Sequence, residues 1–219
     1  IEGDKWKFKE PENGMVPKSI EDVAMRKYRN LSKEAQEVLQ MASIIGWFDI
    51  DMIRELTGFN EGHIAGLIDD ISGLRIVKYE GYKIGFAEEI SRSAIYKKSV
   101  EGIRGTQLHK RVAEYLEKRN RGKEHEVVEE LAYHYYKGQD HKKGVEYSLQ
   151  AGESAQEKYA NNSAVRYYTW AKNLLNEEKE AERVKLRSQC LSKRAQVLQF
   201  IGDNHGALKD LGEASKDAI

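Results

Sequence analysis

Apolar positions recur at spacings of three and four along most of this chain, the period of a helix face packed on a core. After Pro17, Ile20, Val23, Ala24, Tyr28 and Leu31 keep that spacing. Ser19 stands as N-cap, and Asp22 completes an S-x-x-D capping pattern. A second helix is expected from Ser32, with Ala35, Val38, Leu39 and Ala42 on one face and Gly46 at its end. "DIDMIRELTG" reads as a short helix closed by Gly58, and "NEGHIAGLIDDISG" as a third, capped by Asn60 and closed by Gly73. The period then changes. "RIVKYEGYKIGF" holds two short β-branched and aromatic runs around Glu80-Gly81, a hairpin signal. The helix "EEISRSAIYKKSV" follows it. Helix, helix, helix, hairpin is the order of a winged-helix domain, placed at residues 31–100. Residues 1–30 read as a linker and connecting helix, with a possible short strand at Trp6 and Phe8.

Residues 101–219 read as helices only. Within them a small residue, a second position four on and an Ala three further recur: Gly144–Ser148–Ala151, Ala164–Tyr168–Ala171 and Ala207–Leu211–Ala214. Leu131, Ala132 and Tyr135 fit the companion helix of such a repeat, as do Ala195 and Leu198. This 4+3 spacing is that of tetratricopeptide repeats, here at irregular intervals. The fold class expected is all-α with a small β-hairpin: a winged-helix domain, then a tetratricopeptide-like helical-repeat arm.

Composition supports the helical reading. The only prolines of the 219 residues are Pro11 and Pro17, where background usage would put roughly ten in the remainder. Charge excludes little and favours nothing: 36 basic residues balance 36 acidic ones, so no net field steers the chain to nucleic acid or membrane. No apolar run approaches the ~18 residues of a membrane span. The single cysteine, Cys190, rules out an intramolecular disulfide and fits the reducing cytoplasm. The chain opens on Ile1 rather than Met, which predicts a portion of a longer protein.

Several segments together are similar to one family. "VPKSIEDVAMRKYRNLS", "AQEVLQMASIIGWFDIDMIRELTG" and "YKIGFAEEISRSAIY" are followed in order by "RGTQLHKRVAEYLEKR", "EELAYHYYKGQD" and "YSLQAGESAQEKYANNSAVRYYTWAKNLL". They resemble the signal-transducing STAND ATPases of the maltose-regulon-activator and cyclase-associated types. The likeness covers most of Val16 to Leu175. It implies a regulatory chain whose winged helix packs on an upstream nucleotide-binding domain and whose arm relays or receives an inducer. The implied partners are that domain, which would hold ATP or ADP, and a protein or small-molecule inducer, with oligomerisation possible on activation. No cofactor is expected in this chain itself. It has no G-x-x-x-x-G-K-[ST], and its one Gly-Lys pair, Gly122-Lys123, is followed by Glu124. The resemblance also singles out Glu88. Two residues after the wing aromatic, here Phe86, the family typically has a histidine, which in related switches faces the bound nucleotide, so Glu88 takes a nucleotide-sensor position. The reading its own sequence context favours is an acid capping the exit helix.

Two other functions stay open: a DNA-binding winged-helix regulator and a plain protein-interaction scaffold. Against the first, the expected reading helix Asn60–Gly73 carries Glu61, Asp69 and Asp70 and no lysine or arginine. An enzyme is not expected, since no G-x-S-x-G elbow occurs and Cys190 reads as a buried small hydrophobe. Glu130 and His134 share one helix face, but no further ligand at fixed spacing makes them a metal site. Seven of the twelve tyrosines lie between Tyr133 and Tyr168. Tyr135, Tyr147 and Tyr168 read as packing rings. In the repeat register Tyr133 and Tyr136 face a concave groove, and Glu153, Gln156, Gln196 and Gln199 line the same surface, a polar-aromatic site for a ligand or partner.

Overall fold

The computed structural model describes residues 19–100, 102–176 and 180–217; the strand expected at Trp6 and Phe8 lies outside them. These residues form eleven α-helices and one two-stranded antiparallel sheet, and the chain divides into two compact units, Ile1–Ser99 and Val100–Ile219.

The first unit is built by its caps. Ser19, Ser32, Asp49 and Asn60 each accept the backbone N–H three residues on, opening α1 (Ile20–Arg29), α2 (Lys33–Ile45), α3 (Ile50–Thr57) and α4 (Glu61–Gly73). Each bond satisfies one of the donors a helix leaves orphaned at its start. Gly58 closes α3 in the left-handed region, φ 77°, where a side chain would be strained. Val38, Leu39, Ile53, Ile64, Ile71 and Ile95 are fully buried, on faces where α2 meets α3, α4 and α5 (Glu89–Ser99). The connecting helix α1 buries Ala24, Met25 and Tyr28 and packs on α5, within the same unit.

Strands β1 (Val77–Glu80) and β2 (Lys83–Phe86) pair with Glu80 opposite Lys83, so the tight turn is Gly81-Tyr82, one residue later than the sequence suggests. Gly81 supplies the positive φ, 62°, that the first turn position needs. Phe48 adds a backbone pair to Ile84, in both directions at 2.9 and 2.8 Å. Gly85 leaves room for the Trp47 ring: a Cβ there would stand 2.7 Å from it.

The second unit stacks α6 (Gly102–Arg119), α7 (Val128–Lys137), α8 (His141–Glu157), α9 (Asn161–Leu175), α10 (Ala181–Phe200) and α11 (Asn204–Asp217), each against the next. A 3-10 turn, Glu124–Val127, leads into α7. The contact of α8 with α9 is tight because glycine leaves space on α8. Gly152 meets the Tyr168 ring and Gly144 meets Leu174, with no room for a Cβ at either. The 4+3 spacings of α8 and α9 therefore mark the two facing surfaces of one helix contact, which is why they lie only twenty residues apart in the sequence. Tyr135, Tyr147 and Tyr168 are buried packing rings, with Tyr135 and Tyr147 stacked at 5.5 Å.

Candidate functional site

Helix α7 turns two kinds of residue in different directions. Val128, Leu131, Ala132, His134 and Tyr135 are buried, while Tyr133 and Tyr136 are half-buried at its side. There they meet Trp170 of α9. Tyr136 stacks on the indole at 5.1 Å with planes 10° apart, and Tyr133 tilts against it at 5.9 Å. Tyr167 packs edge-on to the same indole, and the Arg166 guanidinium lies over both of those rings. The Lys137 ammonium lies 6.0 Å above Tyr133. Polar ends are held too: Asn173 donates to the Tyr136 hydroxyl at 3.3 Å, and the Tyr167 hydroxyl donates to Glu129 at 2.6 Å. Burial first, then the bond to Glu129, pushes the Tyr167 phenol above its usual range. Such a surface offers ring edges, phenol oxygens and cations, which suits stacking and hydrogen bonding to a partner.

The six residues expected to line one groove are spread over separate places. Tyr133 and Tyr136 belong to the α7–α9 aromatic cluster. Glu153 pairs with Lys193 and lines a groove of about 880 Å³ between α8 and α10, floored by Val145, Leu149 and Leu186. Gln156 accepts the Tyr168 hydroxyl at 3.0 Å and, with the exposed Gln196, lines a smaller cleft of about 250 Å³ beside Tyr159 and Phe200. Gln199 is exposed on α10 and lines neither. The physical reason is alternation. Successive antiparallel helices fall in two layers, so α7 neighbours α9 while α8 and α10 share the other groove. A register that treats α8 and α9 as equivalent helices merges the two layers.

Glu88 is exposed on the residue before α5, its carbonyl accepting the N–H groups of Ser91 and Arg92 at 3.1 and 3.3 Å. Glu130 is exposed while His134, one turn on, is buried; the Nδ1 of His134 lies 2.9 Å from Nδ1 of His109 on α6, whose ring is buried too. Burial, then the Lys137 charge, lowers His109 to about 4, and burial, then His109, lowers His134 to about 3. Among the described residues no three His, Cys, Asp or Glu side chains are placed to hold a metal. Cys190 is buried, its thiol donating to the Tyr168 carbonyl at 3.3 Å, and burial pushes it up to about 12.

Two constellations escape a sequence reading. Glu117 of α6 accepts hydrogen bonds from Tyr135, Tyr147 and Lys143, tying α6 to α7 and α8. The His109–His134 contact is the other. A signal for it exists, because each histidine falls on the buried stripe of its own helix, with Leu108 and Val112 or with Leu131 and Tyr135.

No protein-family model, curated protein or solved structure matches this chain.

Proposed function

We propose that the chain is the regulatory portion of a signal-transducing STAND ATPase. The first unit is its winged helix, which gates the nucleotide switch. The second is a tetratricopeptide-like arm that takes an inducer or protein partner. The observation that carries this reading is the element order: after α1, three further capped helices, a hairpin and an exit helix, followed in the chain by the stacked helices α6 to α11. The family-like segments fall on those elements in the same order.

On this reading ATP or ADP belongs to another domain. At the Gly122-Lys123 turn the Gly122 N–H, the donor a phosphate would need, goes to the Glu124 carboxylate at 3.0 Å. DNA is disfavoured as the partner of α4, whose exposed side chains are Glu61, Asp69 and Asp70. The α7–α9 aromatic cluster is the arm surface on which this reading puts the inducer or partner.

Calorimetry of the chain against its cognate P-loop domain tests the proposal. Binding that differs between the ADP-loaded and ATP-loaded domain is expected. Nucleotide-independent binding, or none, overturns it, and salt-dependent binding to duplex DNA would put the regulator reading in its place.

A further inference from the structure

His109 and His134 stand 25 residues apart, yet their Nδ1 atoms meet at 2.9 Å inside the α6–α7 contact. Neither nitrogen can leave the contact cheaply. His109 keeps 3% of its surface exposed and His134 6%. One turn from His134, Gly138 brings α7 against the backbone of Lys110, where even a Cβ would come within 3.0 Å of the amide nitrogen. The Tyr133 ring closes the side, edge-on to both imidazoles at 5.6 and 5.1 Å.

Proton inventory fixes what this contact tolerates. Each neutral imidazole carries one N–H. A hydrogen bond between two Nδ1 atoms needs one ring protonated at Nδ1 and the other at Nε2. A further proton on the accepting Nδ1 sets two N–H groups face to face. A further proton on the donor ring's Nε2 buries an imidazolium.

Among the charges described around the pair none offsets that cost, and burial with the Lys137 charge holds His109 well below its ordinary value. On α7, Lys137 adds positive charge, and Glu130, one turn before His134, is exposed. Lys110 of α6 and Asp140, before α8, already neutralise each other at 3.0 Å. From α8, Lys143 is engaged by Glu117 and Tyr135. From α9, Arg166 lies over Tyr167 and Trp170.

We propose that the His109–His134 contact is a proton-controlled joint, holding α6 on the helical stack while both rings are neutral and releasing it when the pair takes up a further proton. The released form takes protons near the ordinary histidine value of about 6.5 and the packed form does so only well below it. Stability of the joint is therefore full above about pH 6.5 and declines as pH falls, by two linked protons. The device acts independently of the ATPase reading.

Hydrogen exchange along the full chain, corrected for intrinsic rates, tests it. The opening constant of α6 amides is expected to rise about thirtyfold between pH 6.5 and 5.5, with α11 amides unchanged. The double variant His109→Leu/His134→Leu should lose that slope. An α6 opening that ignores pH, a slope that survives in the variant, or an equal slope in α11 would overturn the proposal. Should the variant fail to fold, nitrogen NMR of the histidines in the native chain decides. One Nδ1–H and one Nε2–H ring, both neutral at pH 5.5, support the joint. Either ring titrating above pH 6 in the packed state removes it.

Discussion

Asp210, with none of its side chain exposed on α11, receives Nε and Nη2 of Arg194 on α10 at 2.5 Å each. Arg194 also donates to Thr169 of α9 at 2.9 Å, and Lys172 of α9 reaches Asp210 at 3.6 Å and Glu213 at 2.6 Å. One buried carboxylate thus holds three helices in register. Two charges out of water cost several kcal/mol each, and only their mutual geometry repays it. Asp210→Ala leaves the largely buried Arg194 without its counter-charge, while Lys172 keeps only Glu213, so a loss of about 3–5 kcal/mol is expected by denaturant unfolding. Arg194→Met combined with Asp210→Leu should cost less than either change alone. Strictly additive losses in that cycle would show that the pair is not acting as a unit.

The second ionic junction behaves differently because it is wetter. Burial alone would raise the Glu117 carboxyl, but the hydrogen bonds from Lys143, Tyr135 and Tyr147 together outweigh it and hold it below the usual carboxylate range. The contribution is present above the ordinary carboxyl value of about 4.3 and disappears as pH falls through the lowered one. Glu117→Gln keeps the shape and loses the charge, and should cost about 1–3 kcal/mol at pH 7. The difference between variant and native chain should shrink below about pH 4. A gap that stays constant with pH would show that side-chain shape, not charge, is what Glu117 supplies.

Element type was legible wherever the cause is local. Ser19, Ser32, Asp49 and Asn60 start helices through bonds reaching three residues, and a three-residue pattern shows in a sequence. Long-range partners were not. Phe48 bridges to Ile84 of β2, and His109 meets His134 across two helices, through packing of elements that a one-dimensional pattern leaves unordered. The single groove does not form for a related reason. Helical spacing separates Tyr133 and Tyr136 from the inward Tyr135, yet which helix lies opposite them depends on layer order. Small residues every three to four positions fit a repeat and a close helix pair equally well.

Gly152 separates those two readings. A Cβ there would stand 2.5 Å from the Tyr168 ring, which is itself fully buried and bonded to Gln156. Alanine is the better helix former by about 1 kcal/mol, but overpacking a closed contact costs roughly 1–3 kcal/mol. The ring has no free side to move to, so Gly152→Ala should destabilise the second unit on balance. Thermal unfolding reads the sign. A stabilised variant would mean that α8 and α9 are not packed so closely.

Glu88 sits where the family-like pattern expects histidine, and two roles compete for it. An acid next to a helix start gains about 0.3–1 kcal/mol from the N-terminal end of the dipole, and Glu88 is placed one residue before α5. A carboxylate facing nucleotide phosphate would be repelled unless a cation stood between them. The exposed, helix-opening position favours the first role. Glu88→His, made in the proposed assembly with a P-loop domain, should therefore lose only about 0.3–1 kcal/mol in the first unit. ADP affinity, measured by calorimetry in the same variant, should stay where it was. A clear tightening of ADP binding would assign Glu88 to the switch instead, as the residue that loosens its nucleotide-closed state.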